Sequence, residues 1–303
     1  FKRTWIVLYQ EAYGIGSGEA TIPTRQLWHN ETSPEQCFGL LAFDQKDTPS
    51  FVPYDLDQSA GPVSSVTATH DEGFLYLEIN TESDLTPADE FMIAFDTYQA
   101  GTGESTLPGG ATVNNRAEFL LTFTLNDDTA LHHVTQAYDM NGLTVRFNLT
   151  DPAVQMFRST ITDGDPWKVM RWTNDGFELT WQDIGKVPLE HSSAFTEGNR
   201  AAVAWDGKKI NIRLPWTMLH FYDPTQMTVN DGAISYDGGY NFEIITGESD
   251  GIAVSVWHNG TVINTTNRYI WPNWLIVPPT GEREKASLHI IEEGLSAIPD
   301  FTD

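Results

Sequence analysis

Trp167, Trp172 and Trp181, with Arg171, Gln182 and Asp183 beside them, are the residues whose types and spacing suit a definite chemistry. A flat indole face meets the apolar C–H face of a pyranose, and flanking carboxylate, amide and guanidinium groups bond its hydroxyls. The three tryptophans fall in neighbouring expected strands, so one platform could carry them all; filling a sandwich core is the alternative for each. Trp257, Trp271 and Trp274, near Arg268 and Asn273, form a second group, expected to plug one end of the fold rather than to bind.

The acidic residues suit two further chemistries. Calcium takes several hard oxygens, and Asp163-Gly164-Asp165, Asn126-Asp127-Asp128 and Asp84 with Asp89 and Glu90 offer them, so a structural calcium is the one metal expected. None follows the helix–loop–helix pattern, and a solvated turn is the plainer alternative for each. Glycoside hydrolysis needs two carboxyls roughly 5 to 10 Å apart across a cleft, and no pair is singled out among 42 acidic residues. His132 and His133 point to opposite faces of a strand, wrong for one metal, and His191-Ser192-Ser193 lacks a nucleophile elbow. No catalytic residue is assigned, and the chain reads as a non-enzyme.

The elements that must position these residues are strands. Thr, Val, Ile, Phe, Tyr and Trp are frequent and helix formers sparse, which fits pleated surfaces. From Ser65 to Asp96 the chain writes a strand, the tight turn Asp71-Glu72-Gly73 with glycine expected at positive φ, the strand Phe74–Ile79, a loop, and the strand Phe91–Asp96. Further strands are expected at Phe38–Phe43, Ala117–Leu125, Leu131–Tyr138, Thr144–Phe147, Trp167–Thr173, Phe177–Asp183, Arg200–Trp205, Lys209–Leu214, Tyr240–Thr246, Gly251–His258 and Thr261–Asn264. Strands at this spacing predict an all-β, two-sheet antiparallel β-sandwich of jelly-roll or immunoglobulin-like type. It would span 37–281, after an extended N-terminal arm or linker at 1–36 and before a C-terminal helix and tail at 282–303, with Leu288, Ile291 and Leu295 on one helix face. Pro215 is expected to open a short helical turn through Leu219.

Composition then excludes classes of partner. Of 303 residues, 42 are acidic and 17 basic, and the net charge of −25 repels polyphosphate, so nucleic acid is not expected. The longest apolar runs, Trp5–Tyr9 and Trp274–Val277, are too short to cross a bilayer, so no membrane insertion is expected. The single Cys37 excludes an intrachain disulfide. The chain starts at Phe1, which reads as an excised or processed piece with any targeting signal upstream. Sequons at Asn30, Asn148, Asn259 and Asn264 tilt the expected location outward, to the extracellular space or cell surface.

Three stretches carry a likeness: Cys37-Phe38-Gly39-Leu40-Leu41-Ala42-Phe43-Asp44; Phe95-Asp96-Thr97-Tyr98 followed by Leu107-Pro108-Gly109; and Arg213-Leu214-Pro215-Trp216-Thr217-Met218-Leu219 with Asp223-Pro224. With Tyr269-Ile270-Trp271-Pro272-Asn273-Trp274, they resemble the C-terminal region of large prokaryotic proteins. There a barrel resembling a glycoside hydrolase is followed by a β-sandwich similar to family 9 carbohydrate-binding modules. Phe1-Lys2-Arg3-Thr4-Trp5 resembles the segment after the last barrel strand; the loop from Ile6 to Ala20 departs from it. The resemblance implies a sugar-related role, with any catalytic barrel upstream of this chain. A non-catalytic carbohydrate-binding sandwich is therefore the leading expectation. A subunit that self-associates through its arm into a filament or surface layer, and a glycosidase fragment, are the alternatives.

Overall fold

A computed structural model describes residues 50–58, 61–71, 73–135, 161–164, 166–173, 181–195, 201–236 and 241–272. The expected arm, the strands Phe38–Phe43 and Thr144–Phe147 and the C-terminal helix lie outside these residues. Strands are numbered in chain order. Sheet I runs β1 (Val52–Pro53), β2 (Val63–His70), β3 (Phe74–Thr81), β14 (Lys209–Pro215), β13 (Val203–Asp206) and the second half of β12 (Lys186–His191). Sheet II runs from the first half of β12 through β8 (Thr129–Val134), β7 (Phe119–Thr124), β4 (Glu90–Asp96) and β18 (Ala253–His258) to β19 (Thr261–Asn264). The all-β sandwich expected from the alternation is thus what the chain adopts.

The two sheets are joined along both edges. At one, Lys186–Pro188 pair antiparallel with β8, while Leu189–His191 pair parallel with β13, so a single strand passes from one sheet to the other. Pro188 suits that crossing: Leu189 N–H supplies the bond to Asp128 O at 2.8 Å, and the Pro188 carbonyl accepts from Ala202 N. At the other edge Leu56 bridges Thr265, Asp57 N–H donates to Asn264 O, and Thr266 N–H donates to Asp55 O. Such stitching satisfies backbone groups that an open edge would leave for other chains.

The core follows directly from the pleat. Phe91, Ile93 and Phe95 of β4 stand opposite Phe123, Leu121 and Phe119 of β7 and His258, Val256 and Val254 of β18. They face Val66 and Ala68 of β2, Ile79, Leu77 and Leu75 of β3, and Ile210, Ile212 and Leu214 of β14. Each fully buried large apolar side chain in these rows contributes about 1.5–3 kcal/mol of hydrophobic stabilisation. One end is closed by Trp216, Phe221 and Trp271, whose rings lie 5.0–5.6 Å apart, as was expected of Trp271. Trp216 Nε1–H donates to Asp71 O and Trp271 Nε1–H to Pro224 O, so neither indole leaves its donor unmet.

Two local expectations are corrected. Gly73 does not adopt positive φ; the β2–β3 turn is held by Asp71, whose Oδ1 accepts from Gly73 and Phe74 N–H at 2.8 Å. Pro215 ends β14, opposite Phe74, and the 3-10 turn begins one residue later at Trp216–Leu219. The run Asn230-Asp231-Gly232 resembles a turn but lies inside β16 (Thr228–Tyr236), where the register slips by one residue against β17 (Asn241–Glu248). That slip is a β-bulge, which tolerates the same residues as a turn.

Candidate ligand-facing surface

With Phe91, Ile93 and Phe95 inward, alternation turns Met92 and Ala94 of β4 to the outer face of sheet II. The register places Trp257 and Thr122 beside Met92, and Ser255 and Leu120 beside Ala94. A hairpin of β5 (Glu104–Thr106) and β6 (Thr112–Ala117) lies over this face, and Leu107, Val113 and Ala117 bury themselves against Met92, Ala94 and Leu120. Its tip carries Gly109 and Gly110 at φ +85° and +88°, where glycine is favoured. Trp167, Trp257, Val262 and Ala111 pack against this small core only in part. Trp167 is oriented by its Nε1–H, which donates to Thr106 O at 2.9 Å. The outer face therefore carries two partly buried indoles packed on one small core, one of them hydrogen-bonded to the hairpin.

Trp167 consequently belongs with the hairpin, whereas Trp172 and Trp181 lie in a separate two-stranded ribbon, β10 (Trp172–Thr173) with β11 (Trp181–Gln182). Its register sets Trp172 against Gln182 and Thr173 against Trp181. Arg171 and Asp183 continue the ribbon and close a salt bridge of 2.9 Å, each side chain about half-exposed. Five of the six platform residues are thus brought together in one ribbon. Arg171 meets a carboxylate of its own chain there. Trp257, expected to pack, does pack against this small core but is only partly buried there; alternation with inward Val254 and Val256 was the available signal.

The acidic turns are engaged locally. Asp127 and Asp128 are exposed in the β7–β8 turn. Asp163 bonds the Arg116 guanidinium and accepts from Ser105 Oγ; Asp165 lies outside the described residues. Asp89 accepts from Thr86 N–H, Asn259 Nδ2–H and His258 Nε2. Burial opposes its charge, but these bonds outweigh burial and hold its carboxyl below the ordinary value. Among the described residues, no group of three or more His, Cys, Asp or Glu is arranged to hold a metal ion.

Of the sequon asparagines, Asn30 and Asn148 lie outside the described residues. Asn259 is exposed, with φ +47°, and its amide is bonded to Asp89. Asn264 is buried: its Nδ2–H donates to Asp57 Oδ2 at 2.8 Å, and its Oδ1 accepts from Ser255 Oγ and Asn114 N–H.

Reading by residue type did not find the buried charges at the end of this face. Asp96 is 2% exposed and Glu118 0%. Arg268 donates Nη1–H and Nη2–H to the two oxygens of Asp96 at 2.6 and 2.9 Å. Burial raises both carboxyls, that of Glu118 well above its ordinary value, with the charge of Asp96 adding to the effect. Two carboxyls so enclosed offer no surface to a glycosidic bond, so they are not read as an acid–base pair for hydrolysis. The signal lay in strand alternation: Phe95 and Phe119 point inward, so Asp96 and Glu118 share the outer side. In comparisons with family models, curated proteins and solved structures, no match to this chain is found.

Proposed function

We propose that this is a non-catalytic, extracellular carbohydrate-recognising β-sandwich, and that sugar meets the outer face of sheet II at Trp167 and Trp257. The observation that carries the reading is the pair of partly buried indoles packed on one small core, one of them fixed by the hairpin, since a fixed and partly open aromatic face is what pyranose stacking requires. Thr122 and His133, hydrogen-bonded to each other at 3.0 Å on the same face, are polar neighbours for sugar hydroxyls. Glycan-array screening followed by calorimetry on the full chain tests this, with Trp167→Ala and Trp257→Ala as variants. Binding that weakens in both while the fold persists supports the proposal. Absence of binding to every glycan, with or without calcium, overturns it.

Self-association is a second reading, favoured by Phe51 and Val52, large apolar residues 46% and 45% exposed. β1 is the terminal strand of sheet I and, among the described residues, pairs with β2 alone; a terminal strand is where strand addition acts. Sedimentation of the full chain and of Phe51→Asp tests it: a monomer in both removes this reading.

A further inference from the structure

We propose that Glu118 is carried as the neutral acid and that its proton latches the Thr97–Gly103 loop to the end of sheet II, so that the loop loosens as pH rises. Each oxygen of Glu118 has its own partner in that loop. Oε2 accepts from Thr97 N–H at 2.8 Å, and Oε1 lies 3.0 Å from Thr102 Oγ1. Thr102 Oγ1 also lies 3.0 Å from the carbonyl of Gln99, which can only accept. The single hydroxyl proton of Thr102 cannot serve both. With the acid form of Glu118 both contacts are met, because Oε1–H donates to Thr102 and Thr102 donates to Gln99.

The surroundings favour the same state. The guanidinium of Arg268, whose charge acts on Glu118, spends its hydrogen bonds on Asp96 and on the carbonyls of Asp96, Asp250 and Gly251. Arg116, two residues away on β6, bonds Gly103 O and Asp163. Ionised Glu118 would join Asp96 and Asp250 as a third negative charge around Arg268, sealed from solvent; the bonds from Thr97 and Thr102 and the charge of Arg268 favour that ion, but burial and the charge of Asp96 outweigh them. Gly103 closes the site: at φ +86°, a Cβ there would stand 2.8 Å from Glu118 Oε1. The loop in turn holds neighbouring chain, because Thr97 O accepts from Ser249 Oγ and Tyr98 O from Asp250 N–H. Burial and the charge of Asp96 both raise the Glu118 carboxyl, in keeping with a proton retained at neutral pH.

Linkage fixes the sign. The unfolded chain releases this proton near the ordinary glutamate value and the folded chain keeps it, so the stabilisation is complete in acid and is lost as pH rises through the folded value. Glu118→Gln preserves the shape, with its amide donating to Thr102 and its carbonyl accepting from Thr97. Relative to this variant, the wild-type unfolding constant should grow about tenfold per pH unit above the ordinary glutamate value. Hydrogen exchange in residues 97–103, corrected for intrinsic rate, should quicken with pH in wild type and not in the variant. An infrared carbonyl band of a protonated carboxyl should persist in wild type at pH 7 and vanish in Glu118→Gln. Absence of that band overturns the neutral acid, and parallel pH profiles overturn the latch; should the variant fail to fold, the band and loop exchange of wild type alone decide.

Discussion

Arg268 grips both carboxylate oxygens of Asp96, although the two residues lie 172 positions apart in the chain. The bidentate fork orders the end of sheet II and ties the segment after β19 to β4. Burial raises the Asp96 carboxyl, and the guanidinium works against that rise. Removing one partner strands a buried charge, so Arg268→Ala should destabilise by about 3–5 kcal/mol. Replacing both, as Asp96→Asn with Arg268→Met, should cost clearly less. Urea unfolding of the two variants checks this, and equal losses would refute it.

Gly103 tests backbone fit. Its φ of +86° disfavours any side chain, and an added Cβ would approach Ala117 O at 2.6 Å. Gly103→Ala should destabilise by about 1–3 kcal/mol. Gly109→Ala, also at positive φ but with open space around it, should cost less. Thermal melts of both variants give the comparison.

Two tryptophans separate packing from surface. Trp216 is fully enclosed at the end of the sandwich, and Trp216→Ala should cost about 3–5 kcal/mol. Trp257 rests half-open on the outer face, so Trp257→Ala should cost less than half as much while changing any sugar binding. Denaturant unfolding measures both. A larger loss at Trp257 would make it a packing residue.

The histidines set the acid side of stability. Burial holds His132 down to about 4, against the Met218 carbonyl that favours its proton, and burial holds His133 at about 4 as well. Both therefore fold neutral and take up protons on unfolding, so stability falls as pH drops from about 6.5 toward 4. His132→Phe should flatten this loss. Imidazole resonances of His132 that titrate near 6.5 in the folded protein would contradict it.

Much of the sheet interior was legible because pleating is local. Phe91, Ile93 and Phe95 alternate with Met92 and Ala94, and that pattern alone decides that the two sets face opposite ways. The expected β2–β3 hairpin and the strands Lys209–Leu214, Gly251–His258 and Thr261–Asn264 were found for this reason. Turn chemistry was less readable. The β2–β3 turn relies on the Asp71 carboxylate rather than on glycine freedom. The sugar platform was legible only as a set of residue types: Trp172 and Trp181 fall in one ribbon but at adjacent, not opposite, register positions, while Trp167 is drawn to another hairpin.

Composition and alternation by themselves determined that this chain is acidic, all-β and built of two sheets, because charge sums over residues and strand faces repeat every two positions. Only the tertiary structure decided that β3 lies against β14, whose Lys209 reaches Glu78 across 131 residues, and that β12 passes between the sheets. It also decided that Glu118 is sealed beneath a loop while Trp257 stays half-open. Both residues point outward from sheet II. Whether a loop folds back over such a position is not recorded in any two-residue period.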